Sequence, residues 1–533
     1  MIEQLKQPNF SPLALDILRD RYLHRDAEGN ITETPKQMLE RVADAIAPDP
    51  ETADLYYQTM ANLDFLPNSP TLMNAGRPYP HGQLAACFVI GIEDTMPSIC
   101  EALRKQMLIH KTGGGTGFNF SKLRPKNSTV NSTNGRASGP VSFMRLFDLS
   151  TEVIQQGGMR RGANMAILNA DHPDIREFIS CKDEEGKITN FNLSVGISDD
   201  FMKTVVSNHH SPEASLLYDI AKHAWKSGDP GVIFLDTINK DNHRPDLGTL
   251  DSTNPCGESP LFPNEACNLG SINLANFYDP TAPMGIAWSR LGKTVTTATQ
   301  MLDDIIDISH YPLPEIQAAV KKTRKIGLGV MGFADLLYLL HIPYNTSEAC
   351  QTAEKIMSFI KGMARIAANT QAAVKGHTIN ETVTCVAPTG TLALLANCSS
   401  GIEPIFSLSH TRTITKGDGT KIDIQIFNPA YETLLRDNTI TDEQIKKICV
   451  TAYNIDYKDH IAMQAAFQKY TDLAVSKTIN MSNEATADDI YNAYIMAWTQ
   501  GCKGITVYRD GSRASQVLTL HKDALPEVKC STC

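Results

Sequence analysis

Apolar residues recur at helical spacing from Pro12 to about Leu63, with Leu13, Leu15, Ile17, Leu18 and Tyr22 first, then Met38, Leu39, Val42 and Ala43. The pattern predicts a small helical region over residues 1–64. Between the two groups, Thr34-Pro35 has the form of an N-cap followed by proline in the first turn, where a missing N–H costs nothing. From Phe65 the pattern changes. Short apolar runs, Cys87-Phe88-Val89-Ile90, Ala166-Ile167-Leu168 and Gly231-Val232-Ile233-Phe234-Leu235, alternate with helical stretches such as Ile175 to Ile179 and Leu216 to Trp225. Strands alternating with helices predict an α/β core, placed over residues 65–514. Connections rich in Gly, Ser and Asn interrupt it from Asn127 to Pro140 and from Gly157 to Gly162, and loops of that kind usually carry function. Residues 515–533 are polar and end in Cys530-Ser531-Thr532-Cys533, so a mobile tail is expected there.

At 533 residues and 42% hydrophobic, the chain can bury one very large catalytic domain. A formal net charge of -10 speaks against an unselective nucleic-acid surface, so a nucleotide here would be a substrate or effector held by local amides and arginines. The opening residues lack a basic segment followed by a long apolar run, and runs such as Leu336 to Leu340 are too short to span a bilayer. No membrane association is expected, and the cytoplasm is the default. Without a secretory signal, most of the twelve cysteines are expected to be reduced, which makes any disulfide a catalytic rather than a structural one.

The placement of certain cysteines suggests redox chemistry. In Asn254-Pro255-Cys256-Gly257-Glu258 a thiol and a carboxylate stand two residues apart on a turn, and Cys267 follows closely enough to fold back toward them. A buried loop cysteine is the plain alternative for Cys256, but Glu258 adds a base suited to a proton-transfer step. The Cys530/Cys533 spacing supports thiol exchange; zinc would need a second ligand pair, and none lies near. Lys111 to Gly117 is rich in glycine but lacks the order of a P-loop, leaving close backbone approach to a ligand or a flexible turn. Ala387-Pro388-Thr389-Gly390-Thr391 reads as a loop feeding a helix N-terminus able to hold a diphosphate, or as an ordinary capped helix. Arg160 and Arg161 could meet a nucleotide or face solvent.

Taken together, Asn254 to Glu258, Phe65-Leu66-Pro67-Asn68-Ser69-Pro70-Thr71-Leu72-Met73-Asn74, Ala387 to Thr391 and Gly401-Ile402-Glu403-Pro404 resemble the ribonucleotide reductase large chain, in order from about Asn9 to Ser512. The resemblance implies a ten-stranded α/β barrel of two parallel five-stranded halves set antiparallel, with a loop carrying Cys256 through its centre. Cys256 then looks like the thiyl radical that takes hydrogen from the ribose 3′ carbon, Glu258 the acceptor of the 3′ hydroxyl proton, and Asn254 a hydrogen-bonding partner of the sugar. Cys87 and Cys267 look like the pair that reduces the 2′ position and ends as a disulfide. Cys530 and Cys533 would re-reduce that disulfide and be served in turn by a thioredoxin- or glutaredoxin-like protein. Ser69, Ala86, Gly115, Pro388, Thr389, Gly390, Thr391 and Leu392 look like substrate contacts, together with Cys87 and the run Asn254, Pro255, Cys256, Gly257, Glu258. Asp94 and Arg124 resemble effector-binding positions for deoxynucleotides or ATP, with or without Mg2+. Gln156, Gly157, Gly158, Met159, Arg160, Arg161, Gly162 and Ala163 resemble the loop that links effector identity to base choice, usually across a homodimer interface.

Within that family the radical source follows from departures. Oxygen-dependent members carry adjacent tyrosines near the C-terminus, whereas Gly504 to Ser512 holds only Tyr508, and no glycyl-radical motif is present. The resemblance of Ile505 to Ser512 to the cobalamin-dependent segment implies adenosylcobalamin. No Asp-x-His-x-x-Gly motif is evident, so neither an axial histidine nor any other metal ligand is assigned. The short N-terminus leads us not to expect on/off control at an ATP cone. Diphosphate substrates are favoured by likeness to the dimeric cobalamin members. Two alternatives stand beside this reading: a catalytic subunit receiving its radical from a metal-containing partner, and a non-catalytic nucleotide-binding or thiol-exchange protein.

Overall fold

The computed structural model describes residues 7–77, 82–130, 134–154, 162–184, 186–415 and 421–512. Three helices, Pro12–Arg21, Pro35–Ile46 and Pro50–Ala61, precede the first strand and begin alike. Ser11, Thr34 and Asp49 each accept a backbone N–H through a side-chain oxygen, and proline takes the first helical position. At Thr34 the cap is reciprocal, because Gln37 accepts from the Thr34 N–H at 2.8 Å. Met38, Leu39, Val42 and Ala43 are buried as their spacing requires, and so are Leu18 and Tyr22; Leu13, Leu15 and Ile17 are half-buried.

Strand β1 (Phe65–Pro67) opens the sheet. One half of the barrel runs parallel in chain order: β2 (Cys87–Val89), β3 (Gly115–Asn119), β4 (Asn164–Asn169), β5 (Phe191–Ile197) and β6 (Gly231–Phe234). A short hairpin follows, β7 (Ser252–Thr253) with β8 (Pro260–Leu261). The other half holds β9 (Glu265–Asn273), β10 (Ile326–Met331), β11 (Thr478–Met481) and β12 (Gly504–Arg509), with β9 parallel to β10 and β11 parallel to β12. Two isolated parallel bridges, Leu328 with Thr384 and Val386 with Val475, carry the ring from β10 through the segment at 384–386 to the approach of β11. The halves meet antiparallel at two seams, β2 against β9 and β6 against β12. The result is the closed barrel of two opposed parallel halves, with β1 as an added strand antiparallel to β9.

Helices Trp288–Ile308 and Ser347–Lys375 pack on each other, and the first of them also on β9 and β10. Pro212–Ser227 and Ala487–Thr499 pack together and against β12. The polar connection between Asn127 and Pro140 contains a small hairpin, Thr129–Val130 against Gly135–Arg136, where an unbroken loop is the simplest sequence expectation. No helix among the described residues is long and apolar enough to cross a membrane.

Candidate active site

The β7–β8 hairpin packs against β2, and its β7 strand also against β3; its connecting turn carries Asn254, Cys256 and Glu258. The Gly257 N–H donates to the Asn254 carbonyl at 3.1 Å, and Gly257 takes a φ of +83° that glycine adopts without a Cβ clash. Asn254 Oδ1 accepts from the Ser259 N–H at 2.9 Å and ties the two ends of the turn. Asn254 and Glu258 are therefore buried while Cys256 stands exposed at the tip.

Glycines in β3 let the hairpin pass. A Cβ on Gly117 would lie 1.7 Å from the Thr253 carbonyl oxygen, and one on Gly115 would lie 2.8 Å from Pro255 Cγ. The glycine-rich run after Lys111 thus serves in large part as a strand shaved down for its neighbour, a third use beside the flexible turn and the ligand approach. Each half of the barrel also grips the turn: Asn192 Nδ2 donates to the Pro255 carbonyl at 2.7 Å, and the Ala474 N–H donates to the Glu258 carbonyl at 2.8 Å.

Cys87 on β2 faces this turn. Its thiol donates to Glu258 Oε1 at 3.8 Å and accepts from Asn254 Nδ2 at 3.0 Å. Cys267 on β9 is the register partner of Cys87 across the seam. Burial raises both thiols well above the ordinary range; the Glu258 charge adds to this at Cys87, and the Glu265 charge at Cys267. Both thiols therefore stay protonated as hydrogen donors at neutral pH. A third thiol, Cys385, was not anticipated. Its Sγ lies 3.3 Å from the Glu258 carbonyl and 3.8 Å from Ser259 Oγ, and it packs in one buried cluster with Cys87 and Cys267. Its position three residues before Pro388, on the segment leading to the Ala387 to Thr391 motif, was the available signal. No disulfide joins the described cysteines.

The other expected positions are distributed as follows. The Gly115 N–H donates to the Ala86 carbonyl at 2.8 Å, and Gly115 abuts Pro255. Ser69 opens the helix Ser69–Asn74 and hydrogen-bonds the Tyr22 hydroxyl at 2.7 Å. Thr389 Oγ1 accepts from the Gly401 N–H at 2.7 Å and precedes the helix Gly390–Ala396, so Pro388 to Leu392 do form a loop entering a helix. The first helix packs on that helix and, through Tyr22, reaches Ser69. Asp94 and Arg124 are joined by an ion pair of 2.6 Å in a different region. Ala163 accepts from the Thr116 N–H at 3.1 Å; Gln156 to Arg161, Cys530 and Cys533 lie outside the described residues. Asp303, Asp307 and His377 bring ligand atoms within 4.8 Å of one another. Arg324 and Lys375 already fill that cluster with positive charge, at 2.8 and 3.3 Å from Asp303 and 2.7 and 2.9 Å from Asp307, so it works as an ion-pair network.

A barrel that turns paired thiols inward onto a hairpin bearing a thiol, a carboxylate and an amide is the architecture of a thiol-based oxidoreductase. The chain belongs to the ribonucleotide reductase family: the family model for the ribonucleotide reductase barrel domain matches residues 85–215, 209–379 and 375–508, and that for the all-alpha domain matches residues 8–80. It is 42% identical to a vitamin B12-dependent ribonucleoside-diphosphate reductase of Thermoplasma acidophilum, over 95% of this chain and 80% of the relative. A protein of the same description from Mycobacterium tuberculosis is 41% identical over the same shares. Among solved structures, the class Id ribonucleotide reductase alpha subunit of Actinobacillus ureae shares the fold with a TM-score of 0.79 at 22% identity, covering 95% of this chain and 99% of that one.

Proposed function

We propose that this chain reduces ribonucleoside diphosphates to 2′-deoxyribonucleoside diphosphates by thiyl-radical chemistry, with adenosylcobalamin as the radical source. The observation that carries the reading is the convergence of Cys256, Glu258 and Asn254 on one turn with Cys87, whose register partner is Cys267. The relatives from Thermoplasma acidophilum and Mycobacterium tuberculosis are both described as vitamin B12-dependent ribonucleoside-diphosphate reductases, which supports the cofactor and the phosphorylation state.

The hairpin tip fits an approaching large group. Cys256 is exposed, and a Cβ on Gly257 would meet nothing within 4 Å, so Cys256 and Gly257 border open space. Adenosylcobalamin, when bound, supplies a carbon-centred radical as the initiating species. Cys256 as a thiyl removes the 3′ hydrogen while Glu258 takes the 3′ hydroxyl proton. The 2′ hydroxyl leaves as water, Cys87 and Cys267 give two electrons and two hydrogens as they form a disulfide, Glu258 returns its proton to the 3′ oxygen, and Cys256 returns its hydrogen to the 3′ carbon. Asn254 holds the sugar, and Ser69, Ala86, Gly115 and the loop from Pro388 to Leu392 hold the remainder of the substrate. Cys530 and Cys533 re-reduce the pair, followed by a thioredoxin- or glutaredoxin-like cytoplasmic protein.

Base choice is under allosteric control in a homodimer. Helices Met96–Lys111 and Pro140–Val153 pack together and expose Met96, Met107, Leu146, Leu149 and Val153, an apolar face that supports a symmetric contact beside Asp94 and Arg124. Turnover of the four ribonucleoside diphosphates with dithiothreitol, with and without adenosylcobalamin, tests the reading. Strict cobalamin dependence is expected; turnover that needs a metal-containing partner instead would replace the radical source.

A further inference from the structure

Helix Met96–Lys111 begins just after Asp94 and ends four residues before Gly115, so one rod of 16 residues, about 24 Å at about 1.5 Å per residue, joins the Asp94–Arg124 pair to the barrel edge beside the hairpin. On its buried face, one turn apart, stand Gln106 and His110, both fully buried. Gln106 Nε2 donates to Thr151 Oγ1 at 2.6 Å and to Asn164 Oδ1 at 3.0 Å. The Thr116 hydroxyl donates to the same Asn164 oxygen at 2.7 Å and lies 3.1 Å from His110 Nε2. Asn164 Nδ2 donates to Thr151 Oγ1 at 2.9 Å and to the Asn190 carbonyl at 3.2 Å. Thr151 belongs to helix Pro140–Val153, while Thr116 and Asn164 are register partners on β3 and β4.

We propose that this buried polar chain acts together with the specificity loop as a mechanical link by which a bound effector sets base choice, with Gln106, Thr151, Asn164 and Thr116 as positioning residues. The inference rests on the allosteric control proposed above. Apolar side chains can slide past one another when a helix shifts, but the fully buried Asn164 is held by four directional hydrogen bonds. A displacement of either helix of the exposed pair must therefore move Asn164 or Thr116. Thr116 adjoins Gly115, and a Cβ on Gly115 would come 2.8 Å from Pro255, so movement at Thr116 arrives at the floor beside the reactive hairpin. No residue of the chain needs to touch substrate to act this way.

The test uses the whole chain with adenosylcobalamin and dithiothreitol, the four ribonucleoside diphosphates and a panel of deoxynucleotides, and compares Thr116→Val, Thr116→Ser and Gln106→Met with the parent. Coupled sites typically swing preference by about 5- to 150-fold, and Thr116→Val is expected to compress the parent's swing to about twofold. Its effector-free rate, its deoxynucleotide affinity by calorimetry and its thermal midpoint should stay at parental values, and Thr116→Ser should restore the swing. Gln106→Met repeats the measurement should Thr116→Val fold poorly. A full parental swing in both the Val and Met variants would overturn the proposal, as would a swing that falls only in step with affinity and thermal midpoint. A parent that turns over without any swing removes allosteric control and this inference with it. If the parent makes no product, calorimetry of deoxynucleotide binding with and without ribonucleoside diphosphate still decides: coupling retained in Thr116→Val overturns the link, and coupling lost sustains it while the catalytic reading falls alone.

Discussion

Cys87 and Cys267 stand opposite each other as register partners across the antiparallel seam of β2 and β9. Directly opposed residues place their Cβ atoms about 4.5–5.5 Å apart, and a disulfide needs about 3.5–4.5 Å, so a small strand adjustment closes the bond. In a chain with Cys530 and Cys533 replaced by serine, product formation with no external reductant should stop at a stoichiometric burst. Peptide mapping of the spent enzyme is expected to find Cys87 linked to Cys267. A Cys87–Cys385 or Cys267–Cys385 linkage would give the unanticipated third thiol the redox role.

Cys256 is exposed at the hairpin tip while its neighbours carry the anchoring hydrogen bonds, so Cys256→Ser removes the sulfur with little disturbance of the turn. Turnover should fall by on the order of 10⁴-fold or more, as when a nucleophile essential to the chemistry is removed. Nucleotide affinity by calorimetry should stay within about twofold, because the lost group contributes to the reaction rather than to ground-state binding. Preserved turnover would refute the hydrogen-abstracting role.

Gly117→Ala tests the passage of the hairpin. The added Cβ would sit 1.7 Å from a backbone oxygen of Thr253, which cannot swing aside as a side-chain end can. Relief by backbone shifts should cost about 1–3 kcal/mol in denaturant unfolding. A displacement of about 1 Å at the tip should lower kcat by about 100-fold. Gly362→Ala, in a helix and with nothing within 4 Å, is the matched control and should be neutral or stabilising by up to about 1 kcal/mol.

Acid should destabilise the fold through His460. The side chain is fully buried with Nε2 3.1 Å from the Ala452 carbonyl, and burial together with the charge of Lys477 lowers its pKa to about 3. Above pH 6.5 the ring is neutral in folded and unfolded chains alike, so no penalty exists. Between about pH 6.5 and 3 only the unfolded chain takes the proton, and stability falls by about 1.4 kcal/mol per pH unit from this one residue. His460→Gln should show a shallower loss of thermal midpoint over that window. Some acid sensitivity should remain, because burial also lowers His110 to about 4.

Local chemistry was legible along the chain, and long-range closure was not. Thr34-Pro35 announces its helix because the cap and the first turn lie within four residues of each other. The same holds for Met38, Leu39, Val42 and Ala43, whose spacing alone assigns them to one buried stripe. Closure of the barrel rests on two single bridges, Leu328 with Thr384 and Val386 with Val475, and on seams pairing β2 with β9 and β6 with β12. Alternating strands and helices would look the same in an open sheet, so the barrel came from the family resemblance. Glycines 115 and 117 were ambiguous for a related reason: what they make room for is more than a hundred residues away in the chain. The motif around Cys256 was conspicuous, whereas Cys385 and the Gln106–Asn164–Thr116 chain gain their meaning from partners that spacing does not reveal.

The turn bearing Cys256 is fastened to both halves of the ring, by Asn192 through Pro255 in one and by Ala474 through Glu258 in the other. The halves are therefore poor units of exchange. A chimera joining one half to the matching half of a relative inherits a hairpin whose two moorings were adjusted in different lineages, and can fold well while seating its thiol wrongly. Change in either half is tolerable to the extent that the other follows, so the pair is best treated as one inherited part.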